Sequence, residues 1–102
     1  MAKYKKNVEQ RQYSAEYLRF DEDETKLLAV SDWTYPKDSN YLFRCYVIRE
    51  NGKPVDKIWT IWDYDSMQNI KKALGTKYIS PKEIKVRMYK NPDEDVCFEI
   101  VS

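Results

Sequence analysis

Apolar and polar residues alternate most cleanly near the end of the chain. Ile84, Val86 and Met88 fall on one side and Lys85, Arg87 and Tyr89 on the other, and Val96, Phe98 and Ile100 repeat the pattern. A period of two belongs to a half-buried strand. Residues 83–90 and 95–101 are therefore predicted strands, joined by the turn Asn91-Pro92-Asp93-Glu94. Upstream the period changes: Asp65-Ser66-Met67-Gln68 offers an N-cap with Gln three residues on, and Met67, Ile70 and Leu74 recur at helical spacing before Gly75. This predicts one helix over 65–74.

Two further apolar runs, 41–49 and 56–62, flank Glu50-Asn51-Gly52-Lys53. Asn-Gly supplies positive φ at both centres of a type I′ turn, so the pair reads as a hairpin. Pro54 cannot donate a ladder hydrogen bond, and the pairing beside the turn is expected to fray or bulge. Before the hairpin, 25–32 reads as a first long strand and 33–40, with its Pro, Asp, Ser and Asn, as a loop. Tyr17-Leu18-Arg19-Phe20 is a short strand or a tether on the core.

A two-residue turn sets Tyr46 opposite Lys57, Arg44 opposite Trp59 and Leu42 opposite Ile61. Phe43, Cys45, Val47, Ile58 and Thr60 then face the core, leaving Arg44, Tyr46, Lys57 and Trp59 as an outer cationic and aromatic patch. A one-residue bulge near Pro54 exchanges the faces, placing Thr60 and Trp62 outside and Trp59 in the core. The sequence leaves both registers open.

Composition narrows the possibilities. Leu, Ile, Val and Phe account for only 22 of 102 residues, so the core has to draw on the nine Tyr and three Trp as well. The length suits one domain at 15–102, preceded by an arm at 1–14 that carries Lys3, Lys5, Lys6 and Arg11 against Glu9. Asp21 to Glu24 reads as a solvated acidic turn, without the spaced ligands or glycine of a calcium loop. The net charge is +1, so any affinity for nucleic acid has to come from local charge and stacking. Cys45 and Cys97 have no metal-type spacing and are expected to be free thiols, Cys45 inward and Cys97 outward.

A chain without histidine lacks the side chain most used for proton transfer near neutral pH, and neither of its two glycines sits in a phosphate-cradling loop. These features point away from an enzyme, and no metal or other cofactor is expected. No apolar run is long enough to cross a bilayer and the amino end has no leader pattern, so a cytoplasmic protein without membrane contact is expected.

The predicted order is three strands, a helix and two strands. In this order, in its aromatic placement, and in Trp59-Thr60-Ile61-Trp62 running into a capped helix, the chain resembles the small OB-fold single-stranded-DNA-binding proteins over residues 25–101. The resemblance implies a mainly β fold, a five-stranded Greek-key barrel with the helix capping one end; a β-grasp fold is the alternative. It also implies that Trp33 and Tyr35 in the first loop join Tyr46 and Trp59 in stacking bases, with Arg44 and Lys57 on phosphates and Lys85, Arg87 and Tyr89 extending the groove. The chain closes on Ile100-Val101-Ser102, so recruitment of partners through an acidic tail is not expected. The expected ligand is single-stranded DNA, with RNA recognised by the same stacking. A protein-contact or homo-oligomer module using the same aromatic face is the competing expectation.

Overall fold

The computed structural model describes residues 16–35, 43–75 and 81–101. The elements are β1 (Glu16–Tyr17), β2 (Thr25–Thr34), β3 (Phe43–Glu50), β4 (Lys53–Ile61), α1 (Tyr64–Leu74), β5 (Lys82–Lys90) and β6 (Val96–Ile100). The basic arm at 1–14 lies outside the described residues. The six strands form one sheet in the order β1-β4-β3-β2-β5-β6. β1 runs parallel to β4, and every other neighbouring pair is antiparallel. Among the described residues the fold is mainly β with one helix, and the sheet is not closed into a barrel.

The helix lies against the β6 edge of this sheet. The Phe98 N–H, on the free side of β6, donates to Ser66 Oγ at 2.8 Å, so α1 satisfies a group that barrel closure would pair with another strand. The two ends of the sheet nevertheless share a core: Trp59 of β4 and Phe98 of β6 meet edge to face at 5.1 Å. Phe20 packs against both rings, at 6.2 and 5.2 Å. Leu28, Val30, Phe43, Cys45, Val47, Ile61, Ile70, Leu74 and Val86 complete a cluster that is almost fully buried. Of the two expectations for 17–20 each holds in part: Tyr17 ends the short strand β1, and beyond it Leu18 and Phe20 pack on this core, with the Leu18 N–H bonded to the Ile58 carbonyl.

The hairpin turn has the predicted chemistry, with φ of 53° at Asn51 and 84° at Gly52. The helix starts earlier than predicted. Asp63, not Asp65, is its N-cap, accepting from both the N–H and the hydroxyl of Ser66 at 2.9 Å, which leaves Ser66 inside the first turn and free to reach β6. Gly75 ends the helix at φ 70°. β2 also outruns its prediction: Trp33 and Thr34 pair with Cys45 and Arg44, so Trp33 belongs to a strand and not to a loop. Cys97 opposes Tyr89, yet only 3% of it is exposed, which corrects the expectation of an outward thiol. Cys45 is fully buried, and desolvation pushes its thiol pKa up.

Candidate nucleic-acid interface

Beside the turn, Glu50 pairs with Lys53 and Arg49 with Pro54, as a two-residue hairpin requires. Between Val47 and Arg49 the ladder slips by one residue, and from there Val47 meets Lys57, Cys45 meets Trp59 and Phe43 meets Ile61. The extra residue lies in β4, where Val55 and Asp56 together oppose Ile48, a β-bulge of the kind expected near Pro54. Because side chains alternate with period two, this slip reverses the faces of β4 and leaves those of β3 as predicted. Trp59 is 1% exposed and central to the core, while Trp62 is 56% exposed. The placement of Trp59 on the outer face is therefore corrected. Its indole Nε1 is buried and has no hydrogen-bond partner among the described residues.

Lys57 moves with Trp59 to the core side, where it sits at the rim and donates to Glu50 Oε1 at 2.6 Å. Lys26, a buried lysine on β2, donates to the other carboxylate oxygen of Glu50 and stands 5.4 Å over the Phe20 ring. Burial alone would raise the Glu50 pKa, but the two ammonium groups more than offset it and hold the carboxyl below its ordinary value. The three residues clasp β2, β3 and β4 together.

Arg44 and Tyr46 face outward on β3, opposite Thr60 and Ile58 of β4 and opposite Thr34 and Asp32 of β2. Lys85, Arg87 and Tyr89 alternate with the buried Ile84, Val86 and Met88, as predicted. They do not join Arg44 and Tyr46 in one patch. Lys85 pairs with Leu27 while Tyr46 pairs with Asp32, which separates the two groups by about 17 Å along β2 at strand rise. Arg87 is moreover committed to carboxylates: it donates to Glu99 at 2.6 Å and to Asp23 at 2.7 Å, and lies 5.6 Å over the Tyr89 ring. Its proton is held more firmly for that reason, Glu99 contributing most. Desolvation, reinforced by Cys97, Glu99 and Asp63, raises the pKa of Tyr89.

Trp33 is buried at 7% exposure, so of the two first-loop aromatics only Tyr35 reaches solvent. Tyr35 is 51% exposed, leans on Phe43 at 5.2 Å, and carries the Lys71 ammonium 4.9 Å over its ring. It follows Thr34, the partner of Arg44, so Tyr35 and Lys71 lie at the same end of the β2–β3–β4 meander as Arg44 but on the Phe43 side that α1 covers, while Arg44 and Tyr46 are on the opposite face. Lys71 was missed from sequence, although its place three residues before Leu74 and four after Met67 sets it beside the apolar stripe of α1. Trp62 follows Ile61 at the same end, but it lines a groove with Asp63, Glu94 and Asp95, a setting that repels phosphate.

No group of metal-ligating side chains occurs among the described residues, and no described helix is long and apolar enough to cross a membrane. No family, curated protein or solved structure matches the chain.

Proposed function

We propose that this protein binds single-stranded nucleic acid, DNA in the first instance, by stacking bases on exposed aromatics and meeting phosphates with Lys and Arg, without catalysing a reaction. The observation that carries this reading is the Tyr35–Lys71 pair, a half-exposed ring with a cation over it on the helix side of the sheet, at the end where Arg44 occupies the other face with Tyr46 beside it, so that a strand would have to pass around that end to meet both. An exposed ring accepts any base, and the neighbouring cations supply sequence-independent attraction.

The strand order supports an OB-type frame for this site. Three consecutive antiparallel strands, β2, β3 and β4, are followed through α1 by β5, which returns beside β2, giving the spatial order four-one-two-three of a Greek key. OB-folds bind oligonucleotides on their second and third strands and first loop, the positions of β3, β4 and Tyr35 here. The binding set we propose is Tyr35, Arg44, Tyr46 and Lys71, with Lys85 as an outlying cation; Trp33 and Trp59 act as core.

The test is a fluorescence-anisotropy titration of labelled oligonucleotides of roughly 15 nucleotides, single-stranded and duplex, at two salt concentrations. Preferential, salt-sensitive single-strand binding supports the proposal. A protein that binds neither, or prefers duplex, refutes it. The protein-contact alternative draws on a different surface, the exposed Trp62, Tyr64 and Val96 beside the acidic Asp63, Glu94 and Asp95.

A further inference from the structure

β1 lies outside the four strands of the Greek key, and it carries an exposed ring. The strand register sets Tyr17 beside Ile58 of β4, Ile58 beside Tyr46 of β3, and Tyr46 beside Asp32 of β2. Directly paired residues share a face in parallel and antiparallel ladders alike, so these four form one row across the sheet. Trp59, next to Ile58, points into the core, which puts the row on the outward face. Tyr17 is 58% exposed, and Ile58 and Tyr46 are half-buried.

At the spacing of neighbouring strands, the Tyr17 and Tyr46 positions stand about 10 Å apart with Ile58 between them as an apolar floor. Arg44 and Thr60 make the next row on the same face, about 7 Å along the strands. Two rings separated by roughly three base steps of ~3.4 Å, with a cation to one side, match a single strand whose phosphates run beside its stacked bases. The row also gives that strand a direction. Beyond Tyr46 stands Asp32, whose carboxylate accepts from the Trp33 N–H at 2.8 Å and repels a phosphate. Toward β1 the row offers only Ile58 and then a second ring.

Given the single-strand binding proposed above, on which this rests, we infer that Tyr17 is a second stacking platform paired with Tyr46. The bound strand crosses the β-strands, from Arg44 and Tyr46 over Ile58 to the β1 edge, and does not continue over β2. The short parallel strand β1 thus adds to the outward face a ring that the Greek key alone does not supply.

The test is a fluorescence-anisotropy series with labelled oligothymidines of roughly two to ten nucleotides, read on the parent, Tyr17→Ala, Tyr17→Phe and Tyr46→Ala. Tyr17→Ala, an exposed change expected to leave the denaturation midpoint in place, should weaken the longer strands by about tenfold, one base lost from the stack. Tyr17→Phe keeps the ring and should bind like the parent. A dinucleotide reaches one ring at a time, so Tyr17→Ala should change its affinity by no more than about twofold. The inference is overturned if Tyr17→Ala binds the longer strands like the parent, if Tyr17→Phe loses as much as the alanine, or if the dinucleotide loses as much as the longer strands. It is overturned as well if sedimentation shows a dimer that Tyr17→Ala dissolves and oligonucleotides do not compete with, which gives the face to a second copy of the chain. Should Tyr46→Ala weaken binding while Tyr17→Ala does not, only this inference falls. A parent that binds no single strand removes it together with the function on which it stands.

Discussion

The two ends of the β3–β4 hairpin obey different pairing rules. Next to the Asn51–Gly52 turn the partners follow from turn length alone, Glu50 with Lys53 and Arg49 with Pro54; beyond Ile48 they are displaced by one residue. At the turn end the displacement has no counterpart, and at the far end it decides which tryptophan is core and which is surface. A single inserted residue thus moves Trp59 and Lys57 inward while Arg44 and Tyr46 stay outward. A local signal fixes register only as far as the first bulge.

The most forceful way to break this comparison is to truncate the two tryptophans. Trp59→Ala is expected to lower unfolding free energy in a denaturant titration by ~3–5 kcal/mol, since a ring in contact with Phe20 and Phe98 is removed from a packed core. Trp62→Ala is expected to cost under about 1 kcal/mol, the range of surface changes. Equal costs would mean that the slip in β4 opposite Ile48 is not there. Trp59→Phe sharpens the point, because it keeps a ring and removes the buried Nε1 donor, and it should cost clearly less than the alanine.

Next in size is the sealed edge of β6. Ser66→Ala removes the acceptor for the buried Phe98 N–H and should cost ~1–3 kcal/mol, whereas an exposed helix position such as Gln68→Ala should be nearly silent in the same titration. If Ser66→Ala were equally silent, the helix would not be what holds that edge.

Smaller still is the effect of pH on the clasp at the turn end. The Glu50 carboxyl has a folded-state pKa below its unfolded one, so its contribution is fully present above the ordinary glutamate value of about 4.3 and is lost as pH falls through the lowered folded value. Glu50→Gln should therefore flatten the acid limb of the stability profile between those two values. An unchanged acid limb would remove Glu50 from the account.

Much of the fold could be read from the sequence because it rests on short-range periodicity. The alternation at 84–89 gave β5, the Met67-Ile70-Leu74 stripe gave α1, and Asn51-Gly52 gave the turn. What escaped depends on partners distant in sequence. Ser66 looked like part of a cap at Asp65, and its bond to Phe98, 32 residues on, ties the helix to the β6 edge. Trp33 looked like loop because Pro36 follows closely, yet its pairing with Cys45 carries β2 through Thr34. The site divides in the same way. Arg44 and Tyr46 were legible because β3 keeps its phase, Lys57 and Trp59 were not because β4 loses it, and Lys71 lies on α1, outside the strand pairing that located the others.

The most direct test of the proposed function compares Tyr46→Ala, Arg44→Ala and the parent protein in the single-strand titration at two salt concentrations. Tyr46→Ala should weaken binding by ~1–3 kcal/mol, one base lost from the stack, and leave the slope of log affinity against log salt nearly unchanged. Arg44→Ala should reduce that slope by about 0.7, one phosphate contact on a single strand. If both variants bind like the parent while remaining folded, the outward face of β3 does not carry the nucleic acid and the central claim is wrong.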